Sequence, residues 1–456
     1  MQALISFVTT AFWGLVLLSA LVFVHEGGHY LAARAFGVRV TEYFLGLPCR
    51  WRLSFVSKRN GTRFGVTPLL LGGYAMICGM DPATSEYAAA VLGLVHRRGS
   101  CTVGELAEEL GITEDEALDA CIQLAEWGSV APVYDPEQGE YEGGSRYATT
   151  YAAMPRDAHG ATLLDGRHFD RASATVQGEP WDPPMSDEEF LAAERSRTYM
   201  GKGFFPRVIM LVAGIFVNLL SGFVLIMSIY SLVGIDVAQN VNVIGGVEAG
   251  SVAEEAGIAP GDTVYSIDGT ETETWEDIVN AIARAREDGE PFEVVFRHDG
   301  EREQVEVALD PDEALGVSVS YERVRLNPID SARLSWSYIA ETARGIAQLF
   351  NPAQTLQMLD SSTSVVGISV MSAQAAAAGP TTFLTLAALI SFSLGLMNLL
   401  PIPPLDGGKL LIEIIQAITR REVPLRAQTI ISYVGVALFI ALFVYVLRND
   451  IIRFII

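Results

Sequence analysis

Three runs of the chain, residues 4–24, 208–233 and 429–447, are almost wholly apolar. Each is long enough to cross a hydrocarbon core of about 30 Å as a helix, which takes roughly 20 residues. In lipid the backbone polar groups must pair within the segment, so a helix is the form such a run takes. A fourth stretch, 383–400, is apolar but carries Ser391, Ser393 and Asn398 and stops at Pro401; it reads as a further span. Composition agrees, with 50% hydrophobic and only 19% charged residues among 456, an excess that suggests a membrane protein. The first run is followed by Arg34 and a basic segment, not by a cleavage pattern, and so reads as retained.

Lys and Arg near span ends set orientation. None precedes the first span, whereas Arg34, Arg39, Arg50, Arg52, Lys58, Arg59 and Arg63 follow it. Arg195, Arg197, Lys202 and Arg207 lead into the second, and Lys409, Arg420, Arg421 and Arg426 lie between the last two. The expected topology has loops 37–205 and 401–428 in the cytoplasm and loop 235–380 outside, in a cell (inner or plasma) membrane; Arg448 and Arg453 oppose it weakly. The net charge of −23 is concentrated, since residues 81–200 hold 23 acidic and 8 basic side chains. All four cysteines, Cys49, Cys78, Cys101 and Cys121, fall in the same loop without C-x-x-C spacing, which reads as reduced structural thiols.

Region 37–84 has strand character, with Asn60-Gly61 between two β-rich runs as a hairpin signal. Its last, apolar strand reads as dipping to the membrane interface. Residues 85–133 read as a winged-helix-like insertion, with capping-box patterns at Thr102/Glu105 and at Thr113. Such a module would put its second helix in DNA. Here that helix bears Glu114, Asp115, Glu116, Asp119 and Glu126 and no Lys or Arg, so DNA is disfavoured and a cytoplasmic protein partner is expected. Residues 134–200, rich in Gly, Pro, Asp and Glu, read as an acidic, partly disordered linker. Residues 238–322 resemble the PDZ family through G-S-x-A-x-x-A-G-I-x-P-G-D and Ile267-Asp268-Gly269. That resemblance leaves two roles open: taking an extended peptide or C terminus at a sheet edge, or filtering substrates by size. Residues 323–382 read as an amphipathic connecting region.

The chemistry is carried by His25-Glu26-Gly27-Gly28-His29, at the end of the first apolar run. On a helix, His25 and His29 share a face at i and i+4, and Glu26 borders it. Two imidazoles so placed bind Zn²⁺, with the glutamate as base. With 6 His and 54 acidic residues in the chain, about 0.01 chance matches are expected. Ionisable groups at membrane depth also need a reason. A catalytic zinc wants a third protein ligand and an open position, yet no His or Glu follows at soluble-zincin spacing. Asp406, in Asn398-Leu-Leu-Pro-Ile-Pro-Pro-Leu-Asp-Gly-Gly, is a remote candidate, and taken alone it reads as the N-cap of the helix KLLIEIIQAI.

Together, H-E-x-x-H on the first span and N-x-x-P-x-P-x-L-D-G near a later one resemble the site-2 protease family of intramembrane zinc metalloproteases, especially its bacterial regulators of envelope stress. The likeness covers 5–80, 199–322 and 360–447, and includes Gly72-Gly73-Tyr74, Arg207, Ala213-Gly214 and Asn218. It departs from the family pattern at Gly46-Leu-Pro-Cys49, at Leu69-Leu-Leu and at Ser364-Val-Val. The resemblance implies Zn²⁺ held by His25, His29 and Asp406, with Glu26 as general base. Asn398, Pro401 and Pro403 would shape an unwound substrate-binding segment, with Gly72 and Gly73 on a second edge. The implied substrates are pre-trimmed single-span membrane proteins, such as anti-sigma factors or remnant signal peptides. The competing reading is an inactive zinc-binding membrane adaptor that works through its PDZ and winged-helix-like modules. The expected fold is a multi-pass α-helical membrane protein of about four spans. It would have an extracytoplasmic α+β PDZ domain and a cytoplasmic β-hairpin plus winged-helix-like insertion. Its expected segments are 1–36, 37–84, 85–133, 134–200, 205–234, 238–322, 323–382, 383–408 and 428–448, with the site near the cytoplasmic side.

Overall fold

A computed structural model describes residues 2–49, 51–81, 84–144, 146–287, 290–309, 314–421 and 423–454; Arg50, counted above for orientation, lies outside them. The chain divides into two compact units, Met1–Leu225 with Ser335–Ile456, and Ile226–Leu334. The first helix, α1 (Gln2–Ala35), does not stop where the apolar run ends at Val24 but carries the H-E-x-x-H motif in its continuous interior. It ends at Gly37, whose φ of +69° closes the helix as Val38 N–H reaches back to Ala33 O at 2.8 Å.

Strands β1 (Val40–Leu45), β2 (Leu53–Val56), β3 (Arg63–Val66) and β4 (Gly73–Ile77) follow. β2 and β3 are antiparallel across the Asn60-Gly61 turn, as the sequence leads one to expect. The hairpin is part of a larger sheet of four strands in the order β2-β3-β1-β4, with β1 and β3 parallel. β4, paired with β1 only, forms one edge. The sheet lies along the first helix: Tyr43 O–H donates to Phe23 O at 2.7 Å, Ser19 O–H to Leu70 O at 2.6 Å, and Asn60 Nδ2 to the Tyr30 hydroxyl at 2.7 Å.

The insertion comprises α2 (Ala88–Arg98), β5 (Ser100–Thr102), α3 (Val103–Leu110), α4 (Glu114–Glu126), β6 (Val130–Val133), β7 (Thr150–Ala153) and α5 (Asp187–Arg195). Complete capping boxes start α3 at Thr102/Glu105, α4 at Thr113/Glu116 and α5 at Ser186/Glu189. The reading of 134–200 as a partly disordered linker is overturned. β7 is the central strand of the sheet β5-β7-β6, and Tyr151 and Phe190 belong to the same buried core as Leu92, Leu106 and Leu124. Composition misleads here because the acidic side chains satisfy folded backbone. Asp157 accepts from the N–H groups of His159, Ala161 and Asp170, and Glu140 from those of Asp135 and Thr149.

A buried ion network fastens this insertion to the end of the first helix. Arg39, between α1 and β1, is forked onto Asp165 (2.7 and 2.9 Å) and Glu194 (2.6 and 3.1 Å). Arg156 holds Glu194 from the other side at 2.8 and 2.9 Å. Arg39, Arg156 and Glu194 are all at most 1% exposed. Burial alone would raise the Glu194 carboxyl, but the Arg156 and Arg39 guanidiniums outweigh it and hold it well below its ordinary range. His96 packs against Phe190 beside the same group, its Nε2 accepting from Arg156 Nε at 3.2 Å. Burial, with the nearby Arg156 charge, pushes the His96 imidazole down to about 3.

Helix α6 (Phe204–Ser228) follows. The second unit contains β8 (Ile235–Ala238), β9 (Ile244–Val247), α7 (Val252–Glu255), β10 (Thr263–Ile267), β11 (Thr270–Glu271), α8 (Trp275–Glu287), β12 (Phe292–His298), β13 (Glu301–Val307), β14 (Val317–Val319) and β15 (Tyr321–Val324). Its sheet β11-β10-β12-β13 is antiparallel, while β14 pairs with β9 and β15 with β8. Ile244, Ile258, Val264, Ile278, Phe292 and Phe296 fill its core.

The chain then forms α9 (Pro328–Gln348), α10 (Thr355–Ser361), α11 (Val365–Ala378), α12 (Pro380–Asn398), α13 (Asp406–Thr419) and α14 (Leu425–Phe454). The expected amphipathic connection 323–382 is corrected over α11. That helix is apolar and packs on α1 so closely that a Cβ on Gly14 would overlap Ser369 Oγ. Asp450 of α14 caps α11, accepting from the N–H groups of Ser364 and Gly367 at 2.5 and 3.1 Å. Four helices among the described residues are long and apolar enough to cross a membrane: Ile5–Ala35, Phe204–Val233, Pro380–Asn398 and Arg426–Ile452. The last extends past the expected 428–448 at both ends.

Candidate metal centre

The two histidines of α1 lie on one face, each under 9% exposed, with ring centroids 4.8 Å apart. Both Nε2 atoms converge on one carboxylate oxygen, Asp406 Oδ2, at 2.9 Å from His25 and 3.1 Å from His29, and lie 3.2 Å from each other. Asp406 reaches this point across 381 residues. The segment 399–405 breaks the helical path after α12, and α13 begins at Asp406 itself. The alternative reading of Asp406 as an N-cap does not hold: the N-cap position is Leu405, and the Asp406 side chain turns to the histidines.

Glycines permit this convergence. Gly28, inside the motif, faces α6, where an added Cβ would overlap Ala213 O. Across that contact, a Cβ on Gly214 would overlap His29 Nε2. Any side chain at either position would push the two helices apart or displace the His29 ring.

The donor set fits a zinc ion. Three acceptor atoms within 4.8 Å of one another are spaced to share one cation. Ligand atoms on a tetrahedral zinc at its usual bond lengths lie about 3.3 Å apart, close to the spacing found. The outer ring nitrogens are also engaged, as imidazoles on a metal require. His29 Nδ1 sits 2.7 Å from Met210 O, which can only accept, so Nδ1 carries the proton and the Nε2 lone pair is free. His25 Nδ1 sits 3.3 Å from the side-chain amide of the fully buried Asn218, whose Oδ1 has no partner. Turning that amide over lets Oδ1 accept from Nδ1–H, which satisfies the orphaned oxygen and frees His25 Nε2 as well. In the sequence Asn218 enters only through the family resemblance. It sits in the apolar run of α6, and no local pattern there names a role for it before the fold places it beside His25.

Glu26 stands beside the cluster, with its Oε2 accepting from Ala75 N–H of the edge strand β4 at 3.2 Å. A cavity of about 90 Å³ opens between Glu26, His29, Tyr199 and Asp406, room for about three waters. Gly72 and Gly73 lie at the start of β4 against Val22 and Phe23 of α1. Pro401 and Pro403 fall in the broken segment, which Gly408 and Gly435 clasp closely, since a Cβ on either would collide with the Pro403 backbone. Asn398 is not drawn into the cluster; its amide nitrogen donates to Leu394 O in its own helix at 3.0 Å.

A family model described as peptidase family M50 matches residues 13–442. The chain belongs to peptidase family M50. Its M50 relatives include the zinc metalloprotease RasP of Geobacillus kaustophilus, 30% identical over 100% of this chain and 99% of that one. The regulator of sigma-W protease RasP of Bacillus subtilis is 27% identical over 98% and 99%. The probable protease eep of Enterococcus faecalis is 25% identical over 96% and 98%. The M50 match spans both the α1 motif and Asp406, so the two halves of the cluster fall within one family likeness.

Proposed function

We propose that His25, His29 and Asp406 hold the zinc of this enzyme and that Glu26 is its general base. The chain is an intramembrane zinc metalloprotease acting in regulated proteolysis. The observation that carries the residue assignment is the convergence of two α1 imidazoles and one remote carboxylate oxygen within about hydrogen-bond distance, with Glu26 alongside. Zinc bound there supplies a Lewis acid for the scissile carbonyl and acidifies water.

This chain's residues do the rest. Glu26 accepts the proton of the attacking water and hands it to the leaving amine nitrogen. The outer edge of β4, from Gly72 and Gly73 onward, takes an unwound substrate strand by β-augmentation, with Ala75 N–H exchanging Glu26 for the substrate. Pro401, Pro403 and Pro404 have no N–H of their own, so segment 399–405, flanked by Asn398, leaves neighbouring groups for the same strand. Substrates are membrane-spanning segments already trimmed outside, with anti-sigma factors as one class. Residues 238–322 act as an extracytoplasmic PDZ domain that inspects or filters those substrates. Residues 85–133 act as a winged-helix-like module for a cytoplasmic partner, with the metal centre near the cytoplasmic face.

The test is a Glu26→Gln protein in detergent with a tagged transmembrane peptide. Zinc content should stay at the wild-type level while cleavage disappears. Cleavage at the wild-type rate with zinc bound would leave Glu26 without this role.

A further inference from the structure

A cavity of about 490 Å³ lies where the end of α1 meets the β2–β3 turn and the loop 165–168, within the size range of small-ligand sites. Four guanidiniums line it: Arg34, Arg59, Arg167 and Arg197. The one carboxylate among its lining residues, Asp165, is already neutralised by Arg39 and Arg197. Arg59 and Arg167 have no ion-pair partner among the described residues. Such a basic cavity is not what the local composition would produce, since Arg167 and Arg197 come from a segment with 23 acidic and 8 basic side chains. Arg197 shares Asp165, which leaves Arg34, Arg59 and Arg167 around the cavity without a carboxylate partner among the described residues, and their mutual repulsion favours an anion there.

Its position says which anion. The candidate span Ile5–Ala35 has 31 residues, about 46 Å of helix, some 16 Å more than a hydrocarbon core. The apolar run ends at Val24 and Arg34 and Arg39 follow it, which assigns the excess to the C-terminal end and the last turns of α1 to headgroup depth. Leu31 lines the cavity and is 63% exposed on that helix. The strand leading into the basic turn exposes Leu53 and Phe55. A basic recess beside exposed apolar surface at a span's end matches a phosphodiester headgroup whose acyl chains remain in the bilayer. We infer that the cavity bounded by Arg34, Arg59, Arg167 and Arg197 binds the headgroup of an anionic phospholipid.

The experiment uses the full-length protein in neutral detergent, titrated with phosphatidylglycerol or phosphatidylcholine and read by native mass spectrometry. Wild type should bind phosphatidylglycerol in preference. The R59Q/R167Q protein should bind it about tenfold or more weakly, with phosphatidylcholine binding unchanged. Both side chains are exposed, so the fold should persist, and unchanged zinc content checks that it does. Should the double variant lose zinc, Arg167→Gln alone decides, with at least about a threefold weakening expected. A control substitution in the other unit, Arg284→Gln, should change nothing. Equal phosphatidylglycerol binding by wild type and the deciding variant would overturn the inference, as would equal affinity for the two lipids. Displacement of the lipid by millimolar glycerol 3-phosphate would assign the site to a soluble phosphate ester instead, and would overturn the lipid assignment.

Discussion

Two clusters of buried ionisable side chains lie on either side of the end of α1, and they solve opposite problems. Around Arg39, the guanidiniums of Arg39, Arg156 and Arg197 pair with the carboxylates of Asp165 and Glu194, and remaining donors find carbonyls, as Arg156 does with Gly160 O and Ser129 O. Around His25, two imidazoles and one carboxylate oxygen turn their acceptor atoms to a single point. The first cluster pairs each carboxylate with guanidiniums of its own and joins segments. The second is the ligand set proposed for zinc, with three acceptor atoms turned to one point. Burial and charge alone do not separate a structural site from a chemical one; the balance of donors against acceptors does.

The largest expected effect lies at the ligand set. Glu26→Gln should lower cleavage by about 10²–10⁴-fold in the peptide assay, with zinc retained. Asp406→Ala should remove both zinc and cleavage; metal analysis showing full zinc and an active protein would return Asp406 to a mere helix-start residue. At the Arg39 cluster, Glu194→Ala leaves Arg39 and Arg156 short of a buried partner. It should cost about 3–5 kcal/mol, seen as an earlier thermal transition of the insertion by tryptophan fluorescence. If the clusters differ as argued, that variant keeps its zinc at temperatures below the transition.

Smaller effects sharpen the contrast. Asn218→Ala should weaken zinc binding by about 10–100-fold without a large loss of thermal stability, because it removes the partner of His25 Nδ1. Equal zinc affinity in a chelator competition would leave Asn218 a packing residue. The Arg39 cluster should also be acid-sensitive. His96 binds its proton at about pH 3 when folded but near 6.5 when unfolded. Below the unfolded value the unfolded state therefore takes up the proton first. The stability present above about pH 6.5 falls as the pH descends toward 3, by about 2 kcal/mol at pH 5. The Glu194 carboxyl, lowered in the fold, adds a further loss below the ordinary carboxylate range. Thermal transitions of the insertion between pH 7 and 5 should show this slope, and His96→Leu should flatten it.

What can be read from the residues follows from short-range pattern. The four spans are sums over local hydropathy, and H-E-x-x-H needs only helical spacing to put His25 and His29 together. The capping boxes at Thr102 and Thr113 are equally local. Composition misreads residues 134–200 because it counts charges without saying where they go. Asp157, Glu140 and Glu194 look like solvated acids in a list and are buried or loop-holding acceptors in the fold. α11 escapes for a related reason, since the surface it covers on α1 is itself apolar and its partner is hundreds of residues away.

Local pattern thus determines that the chain crosses a membrane and carries two imidazoles on one helix face. It names Asp406 only through likeness to other proteins. Whether Asp406 caps a helix or faces the histidines depends on the break at 399–405 and on glycines that let α1 and α6 touch. The contact of Asn218 with His25, the buried Arg39 network and the basic cavity are likewise decided by three-dimensional contact alone. Hydropathy and helical phase act over a few residues, whereas a ligand set, an ion network or a headgroup recess exists only once distant segments are held at hydrogen-bond range.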